Sequence, residues 1–128
     1  MANSVAKNGH RGLIAWQKAM AYAEGCLALA RVLRQDRHHS LANQLERAAV
    51  SIPANIAEGF GRRSAGDFGR FLNISNGSLR EADTLVDLGY RVGAVKRETA
   101  MALTEQSDEL GKVLFGLRKA VLARRKPS

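Results

Sequence analysis

Gln44, Arg47, Ser51, Asn55 and Glu58 follow one another at intervals of three or four positions, so they share one side of a helix. A row of hydrogen-bonding groups of both charges has two chemical uses. Turned inward against Ser78 and Glu81, it forms a partly buried network, led by Arg47, Asn55 and Glu58, that fixes helix pairing. Removing one member then strands its partners, at a cost of about 3 to 5 kcal/mol for a buried charge against ~0 to 1 for an exposed pair. Turned outward, the same groups line a pocket for a ligand or RNA. Mixed sign favours the inward use, because such groups satisfy one another better than they satisfy phosphate.

Other chemistries fail for want of partners. A serine nucleophile needs a base within hydrogen-bonding reach, and no histidine falls on the predicted helices that carry Ser51, Ser75 or Ser78. A carboxylate-bridged di-metal centre needs Glu-x-x-His pairs on facing helices; the chain has none, and His10, His38 and His39 fall off every helical seam. The glycines of GFGRRSAG lack both the GxxxxGK(S/T) pattern and a preceding strand, so they read as a helix stop and turn. The lone Cys26, among Leu27, Leu29 and Ala30, cannot close an internal disulfide and reads as a small core residue. The expectation is a non-enzymatic protein with no catalytic residue, metal or cofactor.

Charge offers a different chemistry. The net charge is +8, and the excess sits towards the two ends: residues 1–40 hold six basic and two acidic residues, residues 41–95 six and six, and residues 96–128 eight and four. Arg118, Lys119, Arg124, Arg125 and Lys126 occur with no acid among them, which favours polyanions. Arg62 and Arg63 add to the candidates for nucleic-acid contact. The competing use is structural, since cations at a helix C-terminus complement its dipole. Of the seven aromatics, Trp16, Tyr22, Phe60, Phe68, Phe71, Tyr90 and Phe115, most map to core faces, so binding is expected to be led by phosphate and to depend strongly on salt.

Four helical segments must position these groups. At 128 residues the chain has room for one domain, and the lack of alternating β-branched runs argues for an all-α fold. Helical spacing predicts an arm over residues 1–11, helices over about 12–35, 40–60, 65–93 and 97–123, and a basic tail over 124–128. The predicted seams are Leu13, Trp16, Met20, Ala23, Leu27 and Ala30; Leu41, Leu45, Ala48, Ala49, Ile52 and Ile56; Phe68, Phe71, Leu72, Ser75, Ser78, Leu79, Ala82, Leu85, Val86 and Val92; and Ala100, Leu103, Ser107, Leu110, Leu114, Leu117 and Val121. Ser40 and Ser64 suit helix starts, the latter with Asp67 three residues on, while Gly59 and Gly61 suit positive-φ stops. Pro53 lies inside the second helix and frees the carbonyl of Ala49, for which Ser51 or Asn55 is the expected partner. Short connections require antiparallel neighbours, giving an up-down-up-down four-helix bundle. Ile14, Tyr22, Leu29 and Val32 fall off the first seam and could form a contact between copies. No run approaches the ~20 apolar residues that span a bilayer, and the polar N-terminus lacks a secretory signal, so a cytoplasmic location is expected.

The run QLERAAVSIPANIAEGFGRRSAGDFGRFL, with GSLREAD after it and WQKA at Trp16 to Ala19 before it, resembles the four-helix-bundle proteins encoded by intervening sequences in bacterial 23S ribosomal RNA genes. The resemblance covers roughly residues 13 to 122. Ser51, Asn55, Glu58, Gly59 and Arg62 fall in the family's order and spacing, whereas the last helix matches only in period. Glu46 departs from the pattern, since members often carry a basic residue just before the Arg47 position. The resemblance implies a homopentamer, and because related bundles accompany reverse-transcriptase systems it suggests a reverse transcriptase or a ribosome-associated protein as partner. The combined expectation is a self-associating bundle that binds RNA or DNA weakly and non-specifically through basic surfaces. The alternative is a protein-interaction scaffold whose charge only aids solubility.

Overall fold

The computed structural model describes residues 9–124; residues 1–8, with Arg125, Lys126 and the end of the tail, lie outside the described residues. Ala15, Ala19, Tyr22, Ala23, Cys26, Leu29, Ala30 and Leu33 form the buried stripe of α1 (Ile14–Gln35). The same helical spacing of apolar residues buries one face each of α2 (His39–Phe60), α3 (Ala65–Arg91) and α4 (Arg97–Ala123). Consecutive helices run antiparallel and close a four-helix bundle around one core, in which, of the four neighbouring pairs, α2 and α3 are in the most extensive contact and α1 and α4 in the least. Among the described residues there is no strand, and no helix is long and apolar enough to cross a membrane.

The inward face of α1 is rotated from the predicted seam. Tyr22 and Leu29, placed off it by the sequence, are buried, while Met20 is exposed and Trp16 and Leu27 are only half-buried. Alanines occupy the line of closest approach and the bulkier side chains cover its edges, so a reading weighted towards large residues points at the rim of the contact. Ile14 and Val32 alone of the proposed second face stay exposed. Val92 is 64% exposed because α3 ends at Arg91.

Helix ends follow local hydrogen-bond chemistry. Ser64 Oγ accepts the Asp67 amide at 3.1 Å and caps α3. Ser40 caps nothing: α2 begins one residue earlier, at His39, with no side-chain cap. His39 is thereby on the same helix as Ser51, but about three turns away. Residues 9–12, expected largely within an arm, wind into a 3₁₀ turn held by Leu13 N to the His10 carbonyl (3.0 Å), Gln17 Nε2 to the Arg11 carbonyl (2.8 Å) and an edge contact of His10 with Trp16. α1 and α3 end alike. The amides of His38 and Ala94 reach back to the carbonyls of Leu33 (2.7 Å) and Gly89 (2.8 Å), through a left-handed residue that is Gly93 (φ 77°) after α3 but Arg37 (φ 68°) after α1.

Gly59 and Gly61 are not positive-φ stops: Gly61 has φ −78° and Gly59 is helical. Gly59 instead admits α3, since a Cβ there would lie 2.6 Å from Phe71 Cβ and 3.3 Å from the Phe68 carbonyl oxygen. Gly69 does the same for Leu122 of α4 and Gly89 for Val95. α2 stays helical through Pro53. Asn55 Nδ2 donates to the Ser51 carbonyl (2.8 Å) rather than to that of Ala49, and Ser75 Oγ of α3 donates to the Ile52 carbonyl (2.9 Å).

Gly59→Ala is expected to lose about 1–3 kcal/mol by overpacking. Arg37→Gly is expected to gain up to about 1 kcal/mol by removing left-handed strain. Urea-unfolding midpoints of the two variants against wild type check both signs.

Candidate functional site

Antiparallel packing brings together, at one end of the bundle, the C-terminus of α2, the N-terminus of α3 and the C-terminus of α4, as the contacts of Gly59 with Phe68 and Phe71 and of Gly69 with Leu122 require. Arg62 and Arg63 lie in the turn after α2, Arg70 in the second turn of α3, Arg118 and Lys119 in the last turns of α4, and Arg124 at its C-cap; all are exposed. Arg125 and Lys126 lie outside the described residues. The carboxylates at this end are Glu58 and Asp67, each 3.3 Å from an arginine, Arg62 and Arg70 respectively. The same two guanidiniums stack on one ring, 4.8 Å (Arg62) and 4.6 Å (Arg70) from the Phe71 centroid. Phe71 is itself seated against Gly59. Sequence reasoning missed Arg70; the signal was Phe71 beside it, one α3 turn beyond Asp67.

The polar stripe divides. Ser51 Oγ receives a hydrogen bond from Ser78 Oγ (2.8 Å) across the α2–α3 contact and another from Asn55 Nδ2 (2.9 Å). Ser75, fully buried beside them, bonds the Ile52 carbonyl. Gln44, Arg47, Glu58 and Glu81 are exposed and take no part in this cluster, because the helices approach too closely for long side chains to turn between them. Glu46, the departure from the family pattern, pairs through both carboxylate oxygens with Arg34 of α1, which also bonds Asn43 at 2.9 Å. That bond to Arg34 holds the Glu46 carboxyl below the usual range.

The remaining polar groups of the interior are inert or peripheral. Burial pushes the Cys26 thiol up to about 11 and the Tyr22 hydroxyl well above its ordinary value. Tyr22 Oη is fully buried without a hydrogen bond, although Cys26 and Ser107 are its neighbours. Burial likewise raises Asp83, a rise that the neighbouring Ser107 hydroxyl opposes. Asp83 and Ser107 belong to an open groove between α3 and α4, of about 370 Å³, whose wall includes Asn76, Arg80, Lys112 and Phe115. Among the described residues no group of three or more His, Cys, Asp or Glu side chains is placed to hold a metal ion.

Two comparisons with known proteins give positive results. The profile of the 23S rRNA-intervening sequence protein family matches residues 11–116. The chain is similar to a crystal structure of a protein of unknown function from the S23 ribosomal protein family of Bacteroides thetaiotaomicron, with a TM-score of 0.79 and 26% sequence identity over 83% of this chain and 99% of that one. No curated protein matches the chain.

Asn55→Ala, which removes both bonds to Ser51, is expected to lower stability by about 1 kcal/mol. Glu81→Ala, on the solvent side of the same contact, is expected to stay within ~0.5 kcal/mol of wild type. Thermal melting of the two variants in one buffer separates cluster from surface.

Proposed function

From a chain that belongs to the 23S rRNA-intervening sequence protein family, we propose a non-enzymatic, self-associating bundle that holds RNA or DNA weakly and without sequence specificity through its basic end. The observation that carries this reading is the pair of guanidiniums, Arg62 and Arg70, stacked on Phe71. Arginines held by an aromatic ring and a neighbouring carboxylate lose less freedom when they engage phosphate than unrestrained surface cations do. Arg63, Arg118, Lys119 and Arg124 extend the same patch, and the only carboxylates described there are already paired with Arg62 and Arg70. Phosphate is then met by a surface of one dominant sign, which raises association rates and makes affinity fall with salt.

Self-association is supported by Ile14 and Val32, large apolar side chains left exposed on α1. The resemblance that suggests a pentamer leaves a partner protein, such as a reverse transcriptase, as a further candidate for that surface.

Filter binding to a structured RNA should show affinity falling steeply between low and moderate salt. Charge reversal of Arg62, Arg63 and Arg70 should flatten the slope of log affinity against log salt by about 0.7–0.9 for each phosphate no longer engaged, and reversal of Arg124, Arg125 and Lys126 should flatten it further. Retention absent even at low salt would return the protein to the scaffold alternative. A monomer mass by light scattering at working concentration would remove self-association.

A further inference from the structure

Phe115 is 70% exposed, more than any other large apolar side chain among the described residues. It lies mid-surface on α4, and its neighbours on that helix face, at spacings of three and four, are Lys112, Arg118 and Lys119. Across the groove α3 contributes Arg80 and Asn76, while Ser107 and Gly111 keep the floor shallow. None of Arg80, Lys112, Arg118 and Lys119 stands in an ion pair among the described residues. An aromatic face flanked by unpaired cations, beside a carboxamide and above small residues, has the chemistry of a base-stacking platform.

We infer that an unpaired nucleobase stacks on Phe115, with its flanking phosphates on Lys112, Arg118 and Lys119. This inference rests on the nucleic-acid reading given above and narrows it to single-stranded RNA or DNA. The base enters the α3–α4 groove, where Asn76 can both donate to and accept from its edge. Asp83 and Asp108 lie in the same groove, and their charge keeps phosphate away from that side, so the strand is directed along α4 towards Arg118 and Lys119. That path is about 6 Å of helix and joins the Phe115 platform to the basic end without interruption by an acidic residue, since positions 116–119 contain none. A duplex cannot use the platform, because its bases are already stacked and paired.

The test is fluorescence anisotropy at low salt with an end-labelled 12-nucleotide oligouridine and a duplex of matched charge, using wild type, Phe115→Ala and Phe115→Trp. The expected result is a preference for the single strand, which Phe115→Ala lowers by about ten-fold and Phe115→Trp keeps, while duplex binding is unchanged in all three. Equal binding of single strand and duplex, with no loss in Phe115→Ala, overturns the platform but leaves the basic end standing. Binding of neither probe overturns both. A loss on both probes accompanied by a smaller particle mass for Phe115→Ala makes this ring a contact between copies and also overturns the inference. Because the side chain is exposed, melting temperatures of the variants should match wild type.

Discussion

How closely α2 approaches α3 decides most of what the molecule presents. Gly59 has no Cβ to hold α3 away, so the Phe71 side chain begins almost on the α2 backbone. Ser75 and Ser78 are short enough to bond α2 directly, one at the Ile52 carbonyl and one at Ser51. In so narrow a seam hydroxyls can be satisfied where charges cannot be solvated, and Gln44, Arg47, Glu58 and Glu81 are expelled to its margins. The same closeness brings the ring of Phe71 under two arginines, one from the turn after α2 and one from α3. Packing and the arrangement of cations are therefore one constraint seen at two depths.

Helix electrostatics account for part of the basic end only. Arg118, Lys119 and Arg124 sit near the C-terminus of α4, where cations complement the dipole. Arg70 sits near the N-terminus of α3, where a cation opposes it, and Asp67 together with Phe71 offsets that cost. A residue held where the helix gains nothing from its charge is better explained by something outside the helix.

Helix number, spacing and most boundaries could be read from periodicity, and the Ser64 cap from its aspartate three residues on. The rotation of α1 could not, because alanine carries little weight in a hydrophobic pattern yet dominates where backbones meet. Gly59 was legible as unusual but not for its reason: a glycine that ends a helix and one that admits a neighbour look the same in one dimension. Arg62 and Arg63 stood out as a pair, whereas Arg70 and Phe115 acquire meaning only once α3 and α4 are laid beside their neighbours. The seat of Glu46 on Arg34 was hidden for the same reason, being a contact between helices rather than a pattern within one.

The basic patch formed by Arg62, Arg63, Arg70, Arg118, Lys119 and Arg124 at one pole has a geometric corollary. Copies related by a rotation axis along the helices would all point that pole in one direction, so a closed assembly would carry a cationic crown on one rim and an unlike opposite rim. Individually feeble contacts with a polyanion would then act together, with a strength set by how well the spacing of subunits matches the path of the bound strand.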